Sequence, residues 1–203
     1  MHSKYYDIYG KEVPSVTTVL QIINKPELIG WAHYMGTRQI SIESILEKSS
    51  YFGNSIHDYL ECYFTGGCYI PIFSELLNEE DYKKATNNFR WFMKDKTYKC
   101  ILSEASRSNN VFGGTLDYYG DFNGKRMLID FKTSKDVYPT YLLQLGGYYE
   151  LIKNEVEVEG AGILIVNKKH CVMKEITLEK LKRYGEMFYI LTNFYIDYVK
   201  EGK

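Results

Sequence analysis

Cysteine is scarce and poorly spaced for chemistry. The four thiols, Cys62, Cys68, Cys100 and Cys171, make no CxxC pair and no zinc-knuckle spacing, which excludes a zinc ribbon or a disulfide framework as the organising element. They read as reduced, mostly buried thiols of a cytoplasmic protein. Proline occurs only four times, and neither a repeat nor a low-complexity tract is visible, so solenoids and proline-rich linkers are excluded. No apolar run approaches the roughly 18 residues of a membrane span. The opening Met1-His2-Ser3-Lys4-Tyr5-Tyr6-Asp7 has no apolar signal segment, so the chain reads as soluble and not exported, with no membrane partner. An excess of charge is also missing: 25 Lys and Arg stand against 26 Asp and Glu, a net charge of −1. That excludes a histone-like protein holding nucleic acid by bulk charge and leaves room for a local basic groove. A Gly-rich phosphate loop and an HExxH helix are absent, and nothing singles out a Ser/His/Asp triad.

What is present is an ordinary globular composition. At 203 residues, with 45% hydrophobic and 25% charged side chains, the chain can bury a core unaided and form one domain. Tyrosine is abundant, 20 residues against 10 Phe. This fits either A/T-rich codon usage or rings that stack on unpaired bases, and most tyrosines at helical spacing read as core or boundary residues. Residues 1–12 form an arm or short hairpin. Pro14-Ser15-Val16-Thr17-Thr18 leads into a helix with Ser15 or Thr17 as N-cap. Short helices are expected over 28–35 and 37–47. A further one opens at Gly53, with Ile56, Leu60 and Phe64 as its apolar stripe, and a longer charged helix covers 79–96. From Lys99 the pattern changes to strands over 100–106, 111–122 and 125–133, a helix over 139–153, a hairpin of 161–167 with 171–176, and an amphipathic helix over 178–199. The expected fold class is therefore α/β (α+β): a mainly helical part over 1–98, then a central sheet with a three-stranded meander, covered by helices, over 99–203.

The most informative stretch is Gly113-Gly114-Thr115-Leu116-Asp117, then Asn123-Gly124, then Ile129-Asp130-Phe131-Lys132-Thr133. Asn-Gly between two strand-like runs signals a two-residue type I′ hairpin. Counting back from that turn places Asp117 directly opposite Asp130, with Cβ atoms about 5 Å apart. Lys132 shares their face, while Ile129 and Phe131 point the other way. Two like charges held opposite each other destabilise a sheet unless a cation compensates them. The competing reading, ordinary surface charges on a solvent-facing strand, conflicts with the poor strand propensity of Asp and with the apolar Met127, Ile129 and Phe131. A site is the better reading.

Supporting residues are individually ambiguous. Glu104, alternating with Leu102 and Cys100, either faces inward as a third carboxylate of a metal site or sits at a fraying strand end. His57 follows Ile56 on an amphipathic helix, where a lone histidine is more often structural than a ligand. Gln144 and Tyr148 share a helix face at i, i+4. Among the scattered basic residues Arg90, Lys94, Arg107, Lys135, Lys168 and Lys169, Lys135 is the best candidate for a phosphate contact.

Taken in order, Gly53-x-x-x-His57, Glu104, Gly114-Thr115-x-Asp117, Asp130-Phe131-Lys132-Thr133-Ser134 and Gln144-x-x-x-Tyr148 resemble the PD-(D/E)XK nuclease superfamily in its RecB-type exonuclease branch. Pro14-Ser15-Val16-Thr17-Thr18-Val19-Leu20, Trp31 and Gly36 look like phage exonucleases and the mitochondrial genome maintenance exonuclease. The resemblance implies a restriction-endonuclease-like core with an N-terminal helical extension. It implies Mg²⁺ or Mn²⁺ held by His57, Asp117, Asp130 and the Phe131 carbonyl. Lys132 would orient and help deprotonate the attacking water, and Glu104 would support a second metal or the water network. Gln144 and Tyr148 would position the strand, and Thr133, Ser134 and Lys135 would contact phosphates. The implied activity is a metal-dependent deoxyribonuclease, more exo- than endonucleolytic, acting on single strands or DNA ends and leaving 5′-phosphates. Recombination or replication proteins are implied partners, and a phage-encoded protein in a host cytoplasm is the implied setting. With Cys171 alone following the motif, no iron–sulfur cluster is expected. The alternatives are a silent nucleic-acid-binding module of the same fold, or a structure-specific endonuclease within a recombination or repair assembly.

Overall fold

The computed structural model describes residues 4–23, 26–39 and 41–200; Met1–Ser3 of the expected arm lie outside them. The arm folds as a hairpin, with β1 (Tyr5–Tyr6) antiparallel to β2 (Glu12–Val13). Ser15 then caps the single turn α1 (Val16–Val19), its hydroxyl accepting the Thr18 N–H at 3.0 Å. Trp31 and Gly36 fall within α2 (Pro26–Thr37).

The next helix departs from expectation. The sequence pattern predicts two helices separated before Gly53, whereas α3 is one helix, Ile42–Thr65, of 24 residues. Ser41 caps its start, and Gly66, at φ 76°, ends it in the left-handed conformation that glycine adopts freely. The polar run Glu47-Lys48-Ser49-Ser50 holds no helix breaker; it is the solvent-exposed face of a continuous helix. Glycine inside a helix costs about 1 kcal/mol relative to alanine. Burial of Ile56, Leu60 and Phe64, each worth roughly 1.5–3 kcal/mol, outweighs that. α4 (Glu79–Met93) begins at Asn78, whose side chain accepts the Asp81 N–H, with three acidic residues in its first turn.

The expected α/β class is the one observed. A five-stranded mixed sheet of order β3-β4-β5-β6-β7 contains the antiparallel meander β3 (Tyr98–Ser108), β4 (Gly113–Phe122) and β5 (Lys125–Lys132). The chain crosses over through α5 (Pro139–Ile152) to β6 (Gly160–Val166), parallel to β5, and turns back into β7 (Cys171–Thr177) and α6 (Leu178–Phe194). Every residue of β6 is buried, because both faces of the sheet are covered. On one face Leu128, Ile163 and Ile165 pack with α1, α5 and α6. On the other, Tyr118, Ile129 and Phe131 pack with Ile56, Leu60 and Phe64 of α3 and Phe89 of α4. The tyrosines at helical spacing serve this second core: Tyr59 and Tyr63 stand edge-on to Phe89.

The expected burial of the thiols is corrected. All four cysteines are free, but Cys62, Cys100 and Cys171 are half-buried and Cys68 is exposed. Among the described residues no helix is long and apolar enough to cross a membrane.

Candidate active site

The hairpin that frames the site forms as its sequence dictates. Asn123 and Gly124, at φ 51° and 79°, make the turn that pairs Phe122 with Lys125. The ladder keeps that register to Tyr118–Ile129 and ends one step short of Asp117–Asp130. The reason is chemical: the Asp117 carboxylate itself accepts the Phe131 N–H, at 2.6 Å to Oδ2. A side chain occupies the position where a main-chain carbonyl would continue the pairing, so β4 and β5 part at this point and leave a notch. Asp117 and Asp130 are 8% and 1% exposed.

Two elements outside the hairpin, α3 and β3, deliver ligand side chains to the notch. α3 brings His57, whose Nδ1 lies 3.6 Å from Asp117 Oδ1 and whose ring stands edge-on to Phe131 at 5.8 Å. Gly53, one turn earlier, faces the end of β5: a Cβ there would lie 3.6 Å from Thr133 Oγ1. β3 brings Glu104, in the middle of the strand and not at a fraying end. Its φ of 45° is rare for a residue with a Cβ. Local backbone strain of this kind is held in place by the surrounding structure and gathers at functional sites. The residue is open to solvent on one flank, yet ligand atoms of His57, Glu104 and Asp117 all lie within 4.8 Å of one another.

Asp130 is engaged differently. Lys132 Nζ lies 2.6 Å from Asp130 Oδ2, but off the line of a good hydrogen bond, and among the described residues neither buried oxygen of Asp130 has a well-formed partner. The ring of Tyr141 on α5 lies beneath the same ammonium, 5.1 Å away. The ligand set implied by the resemblance is therefore split: His57, Asp117 and Glu104 form one group, and Asp130 belongs to Lys132.

Charge states follow from these contacts. Burial raises the Asp117 carboxyl, but His57, Lys132 and the Phe131 N–H outweigh it and hold the group below its usual range. Burial and the Asp117 charge push Asp130 up despite Lys132. Glu104 is pushed up to about 7, by burial and then by Asp117. His57 is lowered by burial and raised more strongly by Asp117, for a net rise. Lys132 behaves likewise: burial opposes its charge, and Asp130 and Asp117 prevail. The two carboxylates therefore favour its charged form.

The remaining expected residues divide. Gln144 donates Nε2–H to the Tyr148 hydroxyl at 2.8 Å, both buried, which leaves the phenol proton free to donate. Gly114 makes room for this ring, since a Cβ there would stand 2.7 Å from Tyr148 Cε1. Thr115 is tied elsewhere, to Tyr5 and Ser106 hydroxyls at 2.8 Å each. Thr133 and the exposed Lys135 line a cavity beside the notch. Ser134 directs its hydroxyl to the Asp136 carbonyl at 2.8 Å, within its own loop. Arg107 pairs with Glu155 and Arg90 bonds Tyr59, so neither belongs to the site. Sequence reasoning misses Tyr141 and Asn167. Tyr141 carries a signal that could have found it, because it precedes Gln144 and Tyr148 by three and seven residues on one helix face.

The donor set fits a divalent cation. Imidazole nitrogen and carboxylate oxygens suit Mg²⁺ or Mn²⁺ with some waters retained, and Asp130 offers two buried oxygens in need of a partner. Proton competition follows. Below about pH 7 Glu104 holds its proton, and Asp117 makes His57 hold its own more strongly than a free imidazole does, so a cation must displace them. Apparent Mn²⁺ affinity is expected to rise between pH 6 and 8, by about tenfold per unit for each proton displaced. Calorimetric titration across that range checks it, and a flat profile in the wild type would exclude these two ligands. Saturating Mn²⁺, at about a hundred times Kd, is expected to add about 2.7 kcal/mol to stability, a gain that His57→Ala would largely remove in thermal melts.

No protein-family model and no curated protein matches this chain. Among solved structures, it is similar to an alkaline exonuclease, LHK-Exo, from Laribacter hongkongensis, at 11% identity, over 73% of this chain and 84% of that chain, with a TM-score of 0.37. The complex of LHK-Exo with dAMP gives 12%, 73%, 84% and 0.34. A structure of SSO0001 gives 16%, 71%, 74% and 0.29. Likeness at this level assigns no chemistry, and the site must be read from its own residues.

Proposed function

We propose that this protein is a metal-dependent deoxyribonuclease acting on single strands or DNA ends, exonucleolytically, with 5′-phosphate products. The observation that supports this most is the notch between β4 and β5, where ligand atoms of His57, Glu104 and Asp117 lie within 4.8 Å of one another, beside Asp130, whose buried oxygens have no hydrogen-bond partner among the described residues. Asp117, His57 and Glu104 would hold Mg²⁺ or Mn²⁺, and Asp130 would add a carboxylate. A divalent cation supplies Lewis acidity to a phosphodiester oxygen and lowers the pKa of an attacking water.

The chain's own contribution is positional and electrostatic. Lys132, kept protonated by two carboxylates, donates to a non-bridging phosphoryl oxygen and stabilises the charge that grows there during in-line attack. Asp130 orients Lys132 and accepts from the water. Tyr148, braced by Gln144, donates its free hydroxyl proton toward the strand. Burial of the aspartates lowers the local dielectric and strengthens each of these interactions.

The test is degradation of end-labelled linear single- and double-stranded DNA with Mg²⁺, Mn²⁺ or EDTA, beside a closed circle. Metal-dependent loss of the linear DNA with the circle intact is expected, and the label's position reads the polarity. Cleavage of the circle would instead favour the endonuclease alternative. DNA binding with no cleavage under either metal would leave a silent binding module.

A further inference from the structure

A cavity of about 520 Å³ opens beside the end of β5. Its walls come from separate stretches of chain: Lys48 and Phe52 of α3, Asp81 of α4, Lys135 after β5, and Lys168 and Lys169 of the β6–β7 turn. Lys168 is neutralised by Asp81 at 2.7 Å. Lys48, Lys135 and Lys169 are exposed and, among the described residues, make no ion pair; the other carboxylate on the wall is Glu75. Apolar Phe52 and Leu76 also line the cavity, and low-dielectric walls focus the positive field.

The walls are pinned together. Asn167 donates Nδ2–H to the Ser134 carbonyl at 2.9 Å and accepts the Lys169 and His170 N–H groups on Oδ1. Asn88 of α4 donates to the Asn167 carbonyl at 3.0 Å. The turn carrying Lys169, the loop carrying Lys135 and α4 are therefore held in fixed relation before any ligand arrives. Thr133, which follows Lys132 directly, lines the cavity, so the cavity begins about 4 Å along the chain from the reactive lysine.

A second cleft, which Glu104 also lines, differs. It has a volume of about 820 Å³, and its other walls carry Lys4 and Glu12 with hydroxyls of Ser15, Thr17 and Thr115. It has no cationic excess. The cationic excess lies in the first cavity.

We propose that the lysine-rich cavity seats the sugar–phosphate backbone of one nucleic-acid strand, with Lys48 and Lys169 as phosphate contacts beyond the scissile bond. This rests on the nuclease reading of the adjacent centre. The cavity is the size of a small-molecule pocket, which accommodates a single chain of nucleotides and not a duplex. The retained strand lies among the lysines.

The test is binding without cleavage: fluorescence anisotropy of a labelled oligothymidylate of about twelve nucleotides, in EDTA, across a salt series. The Lys48→Ala/Lys169→Ala variant is expected to bind at least tenfold more weakly at low salt. Its salt slope should be shallower by about 1.4, at about 0.7 per lost contact on a single strand. Lys180→Ala/Lys182→Ala on the exposed face of α6 serves as the control and should bind within twofold of wild type. An unchanged affinity and slope for Lys48→Ala/Lys169→Ala, or a wild type that does not bind, overturns the proposal. Cleavage plays no part in the measurement, so binding through these lysines by a protein that never hydrolyses DNA would sink the nuclease reading alone. Cleavage by an enzyme whose binding ignores them would sink only the cavity.

Discussion

Lys132→Ala is expected to lower kcat for metal-dependent DNA hydrolysis by about 10²–10³-fold, the size of effect seen when one preorganised donor to a developing oxyanion is removed. The ammonium is held by Asp130 at 2.6 Å and rests over the Tyr141 ring, so its position is set before substrate arrives. Both aspartates raise its proton affinity, which favours the charged form. KM should change little if Lys132 acts on the transition state more than on the bound strand. The same variant carries a stability signature. Asp130 is 1% exposed and has no other good partner, so deleting the lysine leaves a buried carboxylate uncompensated and lowers the metal-free melting temperature. Added Mn²⁺ should recover part of that loss without recovering activity. A variant that keeps kcat within threefold of wild type would remove Lys132 from the chemistry.

The second large effect concerns the frame and not the site. Gly146 on α5 lies where α5 crosses α6, and a Cβ there would meet the Tyr184 carbonyl carbon and stand 2.6 Å from the Gly185 nitrogen. Both are backbone atoms, which cannot rotate away. Gly146→Ala is therefore expected to force the helices apart and cost about 3 kcal/mol, a fall of about 6–12 °C in Tm for a chain of this size. Gly53→Ala is the informative contrast. Its nearest neighbour, Thr133 Oγ1 at 3.6 Å, is an ordinary contact, and alanine inside a helix gains up to about 1 kcal/mol over glycine. Urea unfolding of both variants decides the matter. A Gly146→Ala protein within about 0.5 kcal/mol of wild type would mean that the crossing relaxes at little cost, against the close-packing argument.

Part of the site is legible in the amino-acid sequence. Asn123-Gly124 specifies a tight turn because both positions require φ above zero, and strand alternation then carries the register back to Tyr118–Ile129. The closeness of Asp117 and Asp130 follows from that turn. The apolar run of β6 and the alternation of polar and apolar residues elsewhere likewise announce which strands lie inside. These are local consequences of sterics and of a period of two, and they need no knowledge of the partner elements.

Only the tertiary structure decided the rest. Whether α3 runs unbroken through Gly53 depends on the sheet against which Ile56, Leu60 and Phe64 pack, and helix propensity alone favours a break. His57 acquires a role only because that helix docks beside Phe131. Glu104 reaches the centre through a backbone conformation that its neighbours impose and that residue type alone argues against. The division of Asp130 from the His57–Glu104–Asp117 group depends on the path of the Lys132 side chain, and the basic cavity depends on Asn167 joining three distant segments. Sequence alone determined the turn, the register and the pair of carboxylates, because those arise from steric rules within a few residues. Packing decided which distant charges face them, because a side chain's protonation and partners are set by whatever the folded chain excludes water with.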